Sequence, residues 1–100
     1  MSLPIQVKIF AHTFQVTLLG DSAMHGSIGH CDTNALRIDL LDTLPETVMR
    51  ETLIHEIFHA INYMTYLKDG DEERHVNCFA MGLVTVLRDN PELKEYLLQP

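Results

Sequence analysis

The sequence predicts an α+β fold: a small twisted β-sheet of three to four strands packed on two long helices, with a short helix at the C-terminal end. Three observations carry that expectation. Up to about Leu40, apolar residues alternate with polar ones, the two-residue period of half-buried strands. From Thr43 to about Arg88 they recur at three- and four-residue spacing, the period of helices, with one interruption at Lys68-Asp69-Gly70. Asp89-Asn90-Pro91 then stops the second helix and starts a third. One hundred residues with 46% apolar content are enough for one domain with a two-layer core.

In chain order, Ile5 to Phe10 reads as a strand with Ile5, Val7 and Ile9 on one face. Ala11-His12 turns it, and Thr13 to Leu19 returns with Phe14, Val16 and Leu18 alternating, so a hairpin is expected, ended by Gly20-Asp21. Residues 20–34 hold Gly20, Gly26 and Gly29 and show no helical period. A short strand near Ser27 to Cys31 is expected there, turning at Asp32-Thr33-Asn34 into the alternating run Ala35 to Leu40.

Thr43-Leu44-Pro45-Glu46 has the form of a capping box with proline in the first turn, opening a helix that ends soon after Tyr66. Asp69 and Glu72 offer a second capping box, for a helix from Asp71 to about Arg88. In that helix Val76, Asn77, Ala80, Leu83, Val84 and Leu87 form one stripe, which is expected to be buried. Pro91 to Leu98 makes the last helix, with Leu93, Tyr96 and Leu97 facing inward. There is no internal repeat or low-complexity tract.

Charge and composition exclude several function classes. With 14 acidic against 7 basic side chains, the net charge of −7 disfavours a phosphate-binding surface, so no direct nucleic-acid partner is expected. No run approaches the roughly 18 apolar residues of a membrane span, and no signal-type segment opens the chain, which leaves a cytoplasmic location as the expectation. Cys31 and Cys78 then read as two reduced thiols, with a disulfide or a thiolate beside a metal as the alternatives. Nothing in the pattern sets an oligomeric state.

Within the first long helix stands His55-Glu56-Ile57-Phe58-His59. Residues four apart on a helix differ by about 40° and lie about 6 Å apart, so His55 and His59 stack on one face and both reach a single ion. Glu56 flanks them, placed to hydrogen-bond a water in an open coordination position and take its proton. With Thr52, Asn62, Tyr63 and Tyr66 the two histidines share a polar stripe, backed by Leu53, Ile54, Ile57, Ile61 and Met64. The pattern points to a hydrolytic zinc site holding one Zn2+.

A catalytic zinc needs a third protein ligand, and the downstream candidates are Asp69, Asp71, Glu72, Glu73 and His75. Glu73 lies about 20° from the centre of the stripe at Ala80, where a carboxylate is costly unless paired or bound to a cation. It is the expected ligand, with Glu72 and Asp71 in reserve; His75 points nearly the other way. Asn77, one turn after Glu73, is placed to orient His55 or His59 through the second ring nitrogen.

These residues resemble the gluzincin clan of zinc metallopeptidases. His55-Glu56-x-x-His59 followed by Glu73-x-x-x-Asn77 looks most like its smallest members, the minigluzincins and short prophage-type proteins related to the ImmA/IrrE group. The resemblance is specific from about Thr52 to Ala80. It implies two histidines and one glutamate as ligands, Glu56 as general base, a peptide or protein substrate, and a strand along the cleft rim, at whose free edge an extended peptide can pair. Larger relatives stabilise the oxyanion with a His or Tyr from a C-terminal subdomain. Here His30, His25, Tyr63 and Tyr66 are the candidates for that role or for substrate contact, although His25 and His30 read first as ordinary loop or edge histidines. The expected function is zinc-dependent peptide hydrolysis, latent or highly selective. The alternative is a non-catalytic, metal-stabilised partner-binding domain of phage or prophage origin.

Overall fold

Val7 and Ile9 of the first strand meet Phe14 and Val16 of the second on one face of a four-stranded sheet, the face the alternation marks as buried. The structure is a computed structural model that describes residues 2–65 and 72–100. Its elements are β1 (Gln6–Ile9), β2 (His12–Leu19), α1 (Asp21–Met24), β3 (Gly29–Asp32), β4 (Arg37–Leu41), α2 (Glu46–Met64), α3 (Glu72–Asp89) and α4 (Pro91–Leu97). The expected α+β architecture is observed, with four strands and a short C-terminal helix.

β1 and β2 form the expected antiparallel hairpin, Val7 opposite Phe14, with Phe10 at a positive φ of 56° in the turn. β2 then pairs in parallel with β4, Val16 beside Ile38, and β4 pairs antiparallel with β3, Cys31 opposite Ile38. The order β1-β2-β4-β3 leaves β3 on one edge, the expected position of the strand along the cleft. Apolar residues of α2 at helical spacing, Met49, Leu53, Ile57, Ala60 and Ile61, close the core against the inward residues of the sheet. Each large side chain so buried contributes about 1.5–3 kcal/mol. Val86 of α3 and Leu93 and Tyr96 of α4 complete it.

Several sequence expectations need correction. The four-residue α1 lies where no helix was expected. The Thr43 capping box is not formed: α2 begins at Glu46 with Pro45 as its N-cap and no side-chain cap bond. A box starting at Thr43 would need Leu44 in helical conformation, which the ring of the following proline disfavours. Asp69 of the second capping box lies outside the described residues.

The buried stripe of α3 is also on another face. Gly82 and Val86 are buried and His75 and Phe79 half-buried, all within about 60° of one another and centred roughly 130° from Ala80. Val76, at 53% exposure, and Val84, at 68%, face solvent together with Asn77 and Ala80. α3 is apolar on two sides, so its periodicity fits either. Gly82 decides: it lies against Ile61, where a Cβ would come 2.8 Å from Cγ2 of that side chain, while Phe79 meets Phe58 with ring centroids 5.3 Å apart.

Asn90, between α3 and α4, ties the helices to β1. Its Oδ1 accepts from the Lys8 backbone N–H at 2.8 Å, and its Nδ2 donates to the Lys8 carbonyl at 2.7 Å and to the Val86 carbonyl at 2.7 Å. One amide thereby satisfies both backbone groups of an edge-strand residue. Among the described residues no helix is long and apolar enough to cross a membrane.

Candidate metal centre

α2 turns its apolar side to the sheet, which leaves His55 and His59 on the opposite, exposed side. Their Nε2 atoms stand 3.1 Å apart, and the rings meet edge to face with centroids 4.8 Å apart. Two imidazole nitrogens bonded to one zinc at about 2.0–2.1 Å in tetrahedral geometry are separated by about 3.3 Å, so the pair is set for a shared ion with little rearrangement.

Glu56 occupies a different environment from its neighbours. Only 6% exposed, it sits where α2 passes under the edge strand, with Oε2 4.0 Å from Nε2 of His55. His55, Glu56 and His59 offer donor atoms all within 4.8 Å of one another, the one such group of metal-capable side chains among the described residues. The donor set suits zinc: two imidazole nitrogens and a carboxylate near enough to act on whatever an ion binds beside them.

The wall facing Glu56 is built from β3. Gly29 and Cys31 point inward and His30 outward, as strand alternation requires. Cys31 is half-buried, and its thiol is pushed up to about 11, first by burial and then by the negative charges of Glu56 and Asp32. Thr52, one turn before Glu56, is buried and donates its hydroxyl to the Val48 carbonyl at 2.7 Å. Between α2 and residues 27–29 opens a cleft of about 400 Å³, with Ile28 and Val48 on its walls and Glu51, His55 and Glu56 along the helix side.

The other expected site residues are distributed as follows. Tyr63, 48% exposed, lies one turn beyond His59 on the same polar stripe. His30 is opposite Asp39 in the β3–β4 ladder, on the sheet face away from Glu56, and His25 is the left-handed cap of α1. Glu72 and Glu73 are exposed in the first turn of α3 and Asn77 is exposed one turn later; neither glutamate is in the group formed by the histidines. Asp71 and Tyr66 lie outside the described residues. Gly29 is the residue the motif reading passed over, although a glycine inside a predicted strand is itself a signal of close backbone approach.

Comparison with protein-family models matches the SprT-like family over residues 6–94. No curated protein and no solved structure matches the chain.

Proposed function

The chain belongs to the SprT-like family, part of the zinc metallopeptidase-like gluzincin group, and from that premise we propose that it is a zinc-dependent metalloendopeptidase. The observation that carries the reading is the convergence of the His55 and His59 Nε2 atoms to 3.1 Å, with the buried Glu56 carboxylate 4.0 Å from the first of them. A zinc ion held there supplies Lewis acidity toward a peptide carbonyl and toward water. Glu56 takes the proton of the attacking water and delivers it to the leaving amine. Its burial beside β3 keeps that carboxylate poorly hydrated.

The third ligand belongs to the proposal. Glu73 stays first on its likeness to the clan's helix-borne glutamate alone, because the helical phase that singled it out faces solvent, with Glu72 and Asp71 in reserve and Asn77 as the partner of an imidazole. The narrower likeness to the minigluzincins and the ImmA/IrrE group rests on the same run of residues. A peptide or protein substrate pairs along the free edge of β3, beside the cleft, and Tyr63 is the best-placed candidate to contact it. The cytoplasm is the proposed compartment.

Replacing Glu56 by Gln tests the chemistry. Peptide cleavage should fall by about a thousandfold while bound zinc stays at the wild-type level. Cleavage by Glu56→Gln at the wild-type rate would remove the general base. Glu73→Gln should lower zinc affinity, and an unchanged affinity would move the third ligand elsewhere.

The free edge of β3 also supports a second reading, a metal-stabilised module that captures an extended partner without cutting it. It predicts that Glu56→Gln keeps full biological activity.

A further inference from the structure

A glycine in a strand gives up backbone entropy on folding and offers no side chain to pack, so its presence at the first position of β3 needs a reason. The usual one, a positive φ, does not apply: among the described glycines only Gly26 has it. What distinguishes Gly29 is space. A Cβ on it would stand 2.7 Å from Cγ2 of Thr52, 2.9 Å from Oε2 of Glu56 and 3.2 Å from Cγ of Glu56. The bare backbone of the edge strand therefore lies directly on the carboxylate that the function needs.

We propose that Gly29 is the positioning residue for Glu56, and that the missing side chain leaves the space which the carboxylate occupies. This inference rests on the metallopeptidase reading given above.

Any side chain at position 29 meets two obstacles of unequal stiffness. Thr52 is β-branched, and its hydroxyl is tied to the Val48 carbonyl at 2.7 Å, so its methyl does not rotate aside without losing that bond. Glu56 has the freer side chain. A methyl group at position 29 therefore displaces the carboxylate and turns it away from the side on which His55 and His59 stand. The histidines are on the exposed face, out of reach of the added methyl, so the effect is on catalysis and not on metal loading. A cleft wall of Ile28 and Val48 flanks the same point, so substrate contacts away from Glu56 stay in place.

The test uses the full chain loaded with zinc and compares wild type, Gly29→Ala, Thr52→Ser and the double variant. Gly29→Ala should bind one zinc with wild-type affinity and lose about 10- to 100-fold in kcat, with KM within about twofold, the pattern of a misplaced catalytic group. Thr52→Ser keeps the hydroxyl and removes the methyl. It should restore part of the kcat lost to Gly29→Ala, because the new methyl then settles into the vacated space. Wild-type kcat in Gly29→Ala, or equal losses of kcat with and without the Thr52 methyl, would overturn the proposal.

A second measurement is independent of turnover. In a double-mutant cycle, Gly29→Ala should destabilise the fold less in a Glu56→Ala background than in the wild type, because the contact is gone. Additive effects would overturn the proposal even if Gly29→Ala alone folds poorly. A zinc-loaded wild type that cleaves no peptide would defeat the metallopeptidase reading instead, and the cycle would still report on the Gly29–Glu56 contact.

Discussion

Gly82 of α3 packs on Ile61 of α2 with no room for a side chain: a Cβ there would meet Cγ2 at 2.8 Å and Cδ1 at 3.1 Å. Gly82→Ala should therefore destabilise the protein by about 1–2 kcal/mol, because overpacking outweighs the roughly 1 kcal/mol of helix propensity that alanine gains. Ile61→Val should recover part of the loss. Urea unfolding of the two single variants and the double variant checks both statements.

Zinc should stabilise the fold through His55 and His59. An ion that binds only the folded state contributes about 2.7 kcal/mol at a hundredfold excess over Kd. For a chain of 100 residues that raises Tm on the order of 10–20 °C. Calorimetry with and without zinc should show the rise in wild type, its reversal by a chelator and its loss in His59→Ala. Equal Tm shifts in both proteins would place the ion elsewhere.

Asn90 serves as a substitute strand residue for the edge of β1. Asn90→Ala removes its bonds to both Lys8 backbone groups and to the Val86 carbonyl. Solvent reaches Lys8, so the expected loss is about 1–2 kcal/mol and not the full sum of three bonds. Amide hydrogen exchange at Lys8 should accelerate in the variant, while exchange in β4 follows only the global stability.

Cys31 should be a slow thiol. Burial first, then Glu56 and Asp32, raise it from 9.0 to about 11. At pH 8 the folded chain then carries about a hundredfold less thiolate than the unfolded one, and alkylation in a Cys78→Ser background, free of metal, should slow accordingly. The sign for stability follows. The native thiol holds its proton after the unfolded one has released it, so this contribution is intact below about pH 9 and declines as pH rises toward 11. Denaturation midpoints at pH 8 and pH 10.5, for wild type and Cys31→Ala, measure the difference.

The His-Glu-x-x-His half of the candidate site was legible because it is local. His55, Glu56 and His59 lie within two turns of one helix, so their spacing alone puts the imidazoles on one face and the carboxylate beside them. The strands of the hairpin were legible for the same reason, since Val7 and Phe14 alternate with polar neighbours on both sides of a short turn. The start of α2 was legible to within three residues, and the remaining offset from the capping pattern at Thr43 comes from the constraint that Pro45 places on Leu44. α3 was the harder case. Val76, Ala80 and Val84 make as good a stripe as Phe79, Gly82 and Val86, and only contact with Ile61 and Phe58 chooses between them.

By itself, then, the sequence determined that His55, Glu56 and His59 gather on one helix beside a small sheet, because helical and strand periods are properties of consecutive residues. Tertiary structure alone decided that β2 pairs in parallel with β4, that α3 buries the side carrying Gly82 and Val86, and that Gly29 comes to rest on Glu56. The physical reason is common to all three. Each depends on which surfaces fit together once distant segments meet, and a fit of 2.9 Å between a missing Cβ and a carboxylate oxygen leaves no trace in the spacing of residues along the chain.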